Sequence, residues 1–264
     1  MADRLKGPDR GPGAGQRGPG TEQIEGRNPV MEALRAGRPL NKLMLARGAG
    51  EGSIRAILAM AREQGVPVQE VDRAHLDAIA QSRVHQGVIA MAAPREYAEP
   101  EDVLERARRR GEDPFILILD GIEDPHNLGS LLRTAECAGA HGAILPERRA
   151  AALTPAAVKA SAGAAEHLPV ARVTNLVQTL EWLKQQGVWI AGAEAEGSRL
   201  YTETDLRGPL ALVIGSEGKG LGRLVREHCD YLVRLPLLGR VTSLNASVAG
   251  AILMYEVVRQ RSSR

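Results

Sequence analysis

Three polar segments of this 264-residue chain carry the residue types from which a ligand site can be built. The first reads Asp120-Gly-Ile-Glu-Asp-Pro-His-Asn127-Leu-Gly-Ser130-Leu-Leu-Arg133-Thr-Ala135 and offers an amide and a guanidinium. Leu128, Leu131, Leu132, Ala135 and Ala138 form one apolar helical stripe, which leaves Arg133 on a different face. The second, Gly215-Ser216-Glu217-Gly218-Lys219-Gly220-Leu221, is a glycine-rich loop whose backbone can approach a ligand closely. Its spacing matches neither the Walker loop nor the dinucleotide GxGxxG. Glu217 narrows the choice further, because a carboxylate in a phosphate cradle repels the ligand's charge and disfavours a pyrophosphate. A ligand without phosphates, such as an adenosine-linked sulfonium, meets no such objection. The third segment, Leu235 to Ser247, presents Ser243 and Asn245 just ahead of a final helix. Each feature also has a purely structural explanation. Asn127 is placed to cap its helix, Arg133 suits a solvated surface, the glycines suit a tight turn, and Ser243 or Asn245 suits a cap.

The surrounding elements set where these segments sit. Phe115-Ile116-Leu117-Ile118-Leu119 is a continuous apolar run, as expected of a strand buried in a parallel sheet. Similar runs recur at Gly142–Leu145, Val188–Ala191, Leu210–Ile214 and Leu232–Leu235, and helical patterns at Asn175–Gln185 and Leu221–His228 separate several of them. Strands alternating with helices predict a parallel sheet covered on both faces, with ligands at the carboxyl ends of its strands. The last helix carries a stripe of Leu244, Val248, Ala251, Ile252 and Tyr255.

Upstream of this domain, which spans residues 113–264, the chain divides into three stretches. Residues 1–22 are rich in Gly and Pro and poor in large apolar side chains, so a disordered basic tail is expected. Residues 23–95 read as a compact α/β module. Its elements are a helix from Pro29 to Gly37 capped by Asn28, strands at Lys42–Leu45, Val66–Val68 and Gly87–Ala90, a helix from Ser53, and another over Ala74–Ala80. Residues 96–112 form a charged linker, part helical, whose Arg106, Arg108, Arg109 and Arg110 suit either a nucleic acid or solvent.

Bulk properties exclude little. With 44% hydrophobic and 25% charged residues the chain is an ordinary globular protein of one or two domains. A net charge of +2 does not announce a nucleic-acid partner, and 3% aromatic residues leave few rings on which bases could stack. Cys137 and Cys229 form no CxxC motif and fit a reducing cytoplasm. No apolar run is long enough for a membrane span and no signal peptide is recognisable, so a cytoplasmic location is expected.

Taken in order, NLGSLLRTA, GSEGKGL and LPLLGRVTSLNASVAGAI resemble the three signature motifs of the SpoU-type RNA ribose 2′-O-methyltransferases of the SPOUT superfamily. The resemblance covers residues 23–264, including EGRNPVMEALRAG and HQGVIAM, and is greatest to the subgroup that methylates a guanosine ribose in 23S ribosomal RNA. It implies a SPOUT-type parallel α/β sheet with a C-terminal trefoil knot, preceded by a small α/β substrate-binding domain of ribosomal-protein type. Patterning alone would not propose a knot, since true knots are essentially absent from ordinary chains. The resemblance also implies S-adenosylmethionine as cofactor, held by backbone around Gly215, Leu235 and Leu244, with Glu217 and Gly220 shaping the loop. It implies a catalytic set of Asn127, Arg133, Glu217, Ser243 and Asn245, an RNA substrate, and a homodimer formed through the catalytic domains. Family members usually have Met at the position of Leu237 and Val at that of Ala246. Leu and Met have similar volumes, so the first departure should cost little.

The implied reaction moves a methyl group onto a ribose 2′-hydroxyl, with oxygen, carbon and sulfur roughly in line, so positioning supplies much of the rate. The resemblance gives Arg133 the role of activating the hydroxyl, but a guanidinium keeps its proton above about pH 12. We therefore expect Arg133 to bind a neighbouring phosphate and to stabilise negative charge developing on the 2′-oxygen. Asn127, Ser243 and Asn245 would orient the ribose and the methionine end of the cofactor. No His/Cys cluster has metal-ligand spacing, and no metal is expected. A nicotinamide-dependent oxidoreductase, which the glycine spacing and Glu217 oppose, and an RNA-binding homologue without catalysis stay open, as does tRNA in place of 23S rRNA. Leu237, Leu238, Val241 and Met254 either complete the monomer core or form an apolar patch for a second subunit.

Overall fold

The computed structural model describes residues 21–49, 52–81, 84–93 and 96–262. The expected basic tail lies outside the described residues except for Thr21 and Glu22, and Glu22 opens a strand. In the first part of the chain the elements are β1 (Glu22–Glu25), α1 (Arg27–Arg35), β2 (Leu40–Ala46), α2 (Ser53–Glu63), β3 (Val68–Val71), α3 (Arg73–Ile79) and β4 (Val88–Ala92). The four strands form one sheet in the order β1-β4-β2-β3, antiparallel at its first two pairings and parallel between β2 and β3. Side chains of β2 alternate as a strand covered on both faces demands. Leu43 and Leu45 pack with Val30, Leu34, Ile54 and Ile57 of α1 and α2, while Met44 and Ala46 join Leu76 of α3.

Two details differ from the sequence reading. Helix α1 begins at Arg27 with Gly26 ahead of it, so Asn28 lies inside the helix and does not cap it. The strand expected at Val66–Val68 starts at Val68, because Val66 still belongs to the end of α2. Its N–H donates to Ala61 O and that of Gly65 to Arg62 O, the paired bonds that satisfy the last carbonyls of a helix through a left-handed glycine.

The second part contains α4 (Pro100–Arg110), β5 (Phe115–Asp120), α5 (Pro125–Cys137), β6 (Gly142–Pro146), α6 (Pro155–Ala160), α7 (Ala164–His167), β7 (Val170–Val173), α8 (Leu176–Gln185), β8 (Trp189–Ala193), β9 (Arg199–Leu200), β10 (Leu210–Gly215), α9 (Arg223–Glu227), β11 (Tyr231–Arg234) and α10 (Ala246–Ser262). Seven strands pair in the order β7-β6-β5-β10-β8-β11-β9, parallel at every pairing. Phe115, Leu117 and Leu119 face α5 and α10, and Ile116 and Ile118 face α4 and α8. After β5 the chain builds one side of the sheet with β6 and β7, then returns to build the other. The carboxyl ends of β5 and β10 therefore flank a switch in strand order, the place where open α/β sheets bind ligands.

The stretch expected as a charged linker contributes to this core. Val103, Leu104 and Ala107 of α4 are buried on the sheet, and Arg106 donates to His167 O at 2.5 Å, leaving Arg108 to Arg110 exposed. The orientation of α10 also differs from expectation. It buries Gly250, Leu253, Met254 and Val257, and turns Val248, Ile252 and Tyr255 outward. Its first turns are apolar on nearly every face, so periodicity cannot choose between faces. Close approach does: a Cβ on Gly250 would lie 2.5 Å from Leu131 Cδ2 of α5.

Ion pairs clamp the small sheet's helix side to α7. Arg38 bridges Glu22 at 2.6 Å and Glu166 at 3.2 Å and donates to Ala93 O at 2.8 Å, and His167 Nε2 lies 2.9 Å from Glu32 Oε2. Burial raises the Glu32 pKa, but hydrogen bonds from His167 and Arg35 outweigh it and hold the carboxyl below its ordinary range. Among the described residues no helix is long and apolar enough to cross a membrane.

Candidate functional site

The loop after β10 is closed by its own backbone. Ser216 N–H donates to Gly220 O at 3.1 Å and Gly220 N–H to Ser216 O at 3.0 Å. A Cβ on Gly215 would collide with the Gly220 backbone and stand 2.6 Å from Leu221 N, and Gly218 and Gly220 have φ of +77° and +64°. The turn itself thus demands glycine at these positions. One bond beyond it, Gly222 N–H donates to Asp120 Oδ2 at 2.6 Å, which fastens this loop to the end of β5.

Asn127 does not cap α5. Asp124 does, accepting from His126 N at 3.3 Å and Asn127 N at 3.1 Å, with Pro125 at the first helical position. The Asn127 side chain is thereby released to the loops. Its Nδ2 donates to Glu217 Oε1 at 3.0 Å, and its Oδ1 accepts from Asn245 Nδ2 at 3.0 Å. Glu217 Oε1 also accepts from Asn245 Nδ2 and, at 3.2 Å, from the backbone N–H of Ala246. Asn245 fills the expected cap role, for its Oδ1 accepts from Ser247 N at 2.9 Å and Val248 N at 3.2 Å and so caps α10, while its Nδ2 joins the network. A carboxylate at the start of that helix also suits the positive end of its dipole. Three residues from three segments, Asn127, Glu217 and Asn245, converge on one oxygen.

Beside this network lies a cleft enclosing about 970 Å³, open solvent included. Gly215, Glu217, Gly220, Leu235, Leu244 and Ser243 all line it, together with Leu237 and Glu194. Its walls are chiefly aliphatic and backbone, and its charged residues are two carboxylates, Glu194 and Glu217, against one ammonium, Lys219. Such a lining suits an uncharged or cationic ligand better than a pyrophosphate. Behind it, burial pushes the Cys229 thiol up to about 12, so that group stays protonated and inert.

Arg133 stands apart from the network. It is exposed on α5 beside Glu32, Glu136 and His167, in a different pocket. Sequence reasoning missed Asp120, Asp124 and Glu194. The Asp124-Pro125 pair was a readable helix start, whereas nothing local marks Glu194 or the tie from Asp120 to Gly222.

Comparison with known proteins adds to this geometry. Residues 114–255 match the SpoU rRNA methylase family, and residues 23–98 match the substrate-binding domain of RNA 2′-O ribose methyltransferases. A Bacillus subtilis protein assigned to the TrmH family of tRNA/rRNA methyltransferases is 51% identical over 241 residues, covering 91% of this chain and 96% of its own. The SpoU methyltransferase AviRb from Streptomyces viridochromogenes, solved in complex with the cofactor AdoMet, superposes with a TM-score of 0.79 at 27% identity, covering 93% of this chain and 92% of its own. An AdoMet-bound rRNA methyltransferase from Sinorhizobium meliloti gives 0.76 at 28% identity, over 90% and 87%.

Proposed function

The chain belongs to the SpoU rRNA methylase family, and on that premise we propose that this RNA methyltransferase moves the methyl group of S-adenosylmethionine to a guanosine ribose 2′-hydroxyl of 23S ribosomal RNA. The observation that carries the reading is the convergence of Asn127, Glu217 and Asn245 beside a cleft whose carboxylates disfavour phosphates. When bound, S-adenosylmethionine supplies an electrophilic methyl group on a cationic sulfur. Leu235, Leu237 and Leu244 offer it apolar walls, the turn from Gly215 to Gly220 its backbone, and Glu194 and Glu217 a negative setting that suits the cation.

Asn127 and Asn245, locked by Glu217, keep their amides in fixed orientations for the ribose, so little reorganisation is needed when it arrives. Ser243 adds a hydroxyl at the cleft wall. Arg133, exposed and without a hydrogen-bond or ion-pair partner among the described residues, serves an RNA phosphate. Residues 23–95 supply RNA selectivity, and residues 113–264 the chemistry. The reading includes two larger features. First, α10 packs back on α5 and β10 although β11 lies two strands from β10, so residues 235–245 recross the carboxyl end of the sheet, which favours a trefoil knot. Second, Leu238, Val241, Leu244, Val248, Ile252 and Tyr255 form an exposed apolar surface that a homodimer would cover.

The test is methyl transfer from radiolabelled S-adenosylmethionine to purified rRNA and tRNA from a strain lacking this protein, followed by mapping of alkali-resistant linkages. Label on a 23S guanosine is expected. Label on tRNA alone would reassign the substrate, and label on neither, or tight binding of NAD, would overturn the reading.

A further inference from the structure

A second cleft, enclosing about 1210 Å³ with open solvent included, lies across the Ser216–Gly220 turn from the first and shares Ser216, Glu217, Lys219 and Gly220 with it. It opens over the carboxyl end of β5. Arg148 and Arg149 come to it from the bend after β6, Lys219 from the turn after β10, and β6 and β10 are the two neighbours of β5. We propose that Arg148, Arg149 and Lys219 hold the phosphates that flank the target ribose as the RNA strand crosses this cleft. The inference rests on the reading of the protein as an RNA 2′-O-methyltransferase.

Four observations carry it. The three cations are exposed, and their side chains make no hydrogen bond or ion pair with the described residues, whereas arginines such as Arg38, Arg223 and Arg259 are paired. The bend that presents the arginines is pinned at both ends, by Glu147 N–H to Val173 O at 2.9 Å and Ala151 N–H to Ile122 O at 2.7 Å. Within it Arg149 is held at φ +57°, a conformation a non-glycine residue rarely adopts. Finally, charge in the cleft is segregated. Asp120, Glu123 and Asp124 belong to the β5–α5 turn, and Glu217, on the same turn as Lys219, is taken up by donors of the network. Asp120, Asp124 and Glu217 accept backbone N–H bonds. The three carboxylates of the β5–α5 turn would repel a phosphate from the floor. The cations stand on the flanking loops. A strand lying across them presents its phosphates to the flanks and its uncharged ribose to Asn127, in the central wall. Phosphate contacts of this kind fix register and add a salt-dependent share of affinity.

The experiment measures methyl transfer to protein-free ribosomal RNA against RNA and KCl concentration, for the wild type, R148A/R149A, R148K/R149K and K219A. We expect R148A/R149A to raise the KM for RNA at least tenfold. The slope of log affinity against log salt should flatten by about 1.4–1.8, the release expected for two phosphate contacts. K219A should flatten it by half as much, and R148K/R149K should restore most of the slope. For R148A/R149A, whose residues lie outside the first cleft, turnover at saturating RNA should fall far less than KM rises, and calorimetric affinity for S-adenosylmethionine should stay within twofold. An unchanged KM and slope in an active R148A/R149A protein would overturn the inference, as would a KM change confined to intact ribosomal particles, which would assign the cleft to a protein partner. Equal losses of S-adenosylmethionine affinity or of melting temperature would overturn it as well. A wild type that methylates no RNA would instead bring down the underlying functional reading.

Discussion

Glu217 shows how much a single residue can tie together here. Its Oε1 takes donors from Asn127, Asn245 and the backbone of Ala246, so it joins the loop after β10 to the helices on either side. Changing Glu217 to Ala should therefore lower stability by about 1 kcal/mol, as the loss of a helix cap does, while Glu217→Gln, which keeps an accepting oxygen, should recover most of that. Urea denaturation checks both, and an Ala variant as stable as the wild type would refute the tie. Arg133 has the opposite character, with a side chain that makes no hydrogen bond or ion pair with the described residues. Arg133→Ala should cut methyl transfer at least a hundredfold and leave S-adenosylmethionine affinity within a few fold, and Arg133→Lys should also be strongly impaired, since a point charge lacks the planar fork. Near-normal turnover in single-turnover assays would remove Arg133 from the chemistry. The sequence made all three segments readable as candidates, but not their connection. Asn127 meets residues 90 and 118 positions away, and no local pattern encodes a hydrogen bond of that range.

Among the elements, the parallel sheet was readable because its central strands are short apolar runs, and the failures fall where that signal thins. Strand β1 has one large apolar residue in four, β9 is two residues long, and α10 offers apolar side chains to both directions. The glycine loop was recognisable, yet Gly215 is required by its own turn, and the ligand is not needed to explain it. Gly215→Ala forces the Gly220 backbone away and should abolish measurable S-adenosylmethionine binding in calorimetry. Retained binding would mean that the turn can open without harm. The start of β5 carries a pH dependence. His141 is buried, its Nδ1 accepts from Phe115 N–H at 3.0 Å, and its Nε2 faces Glu112 at 3.0 Å. Burial holds its pKa below the ordinary value, with Glu112 pulling weakly the other way. The unfolded chain therefore takes up a proton near pH ~6.5 that the folded chain still refuses, so stability falls as pH drops below that value. The urea midpoint of His141→Asn, which keeps an acceptor but does not titrate, should fall less between pH 7 and pH 5. Parallel pH profiles for the two proteins would dismiss His141 as the source.

For the whole molecule, the decisive surface is the outer side of α10 and the segment before it, where Leu238 is 98% and Val241 74% exposed. This surface includes Leu244, which also lines the cleft proposed for the cofactor, so on that reading a second subunit seated there would stand next to the chemistry. Light scattering at micromolar concentration should give twice the 28.3 kDa chain mass. The double change Val248→Glu and Ile252→Glu should yield a folded monomer with at least tenfold lower activity, because exposed apolar contacts of this size hold interfaces. A fully active 28.3 kDa species would sink the dimer.

The central pairing of the large sheet joins residue 115 to residue 210. During synthesis β5 therefore waits for a partner made 95 residues later, which at the ordinary pace of translation takes roughly 5–20 s. Until then its flank is an unpaired apolar edge, and long-range parallel pairing is slow once it becomes possible. The small sheet, complete by residue 92, can fold long before. The nascent chain thus passes through a stage with a finished substrate-binding module and an unfinished catalytic sheet, able to touch RNA before it can modify it. No fragment ending short of Ala246 contains the complete oxygen-centred network, so on the proposed reading a chain shorter than that should lack activity.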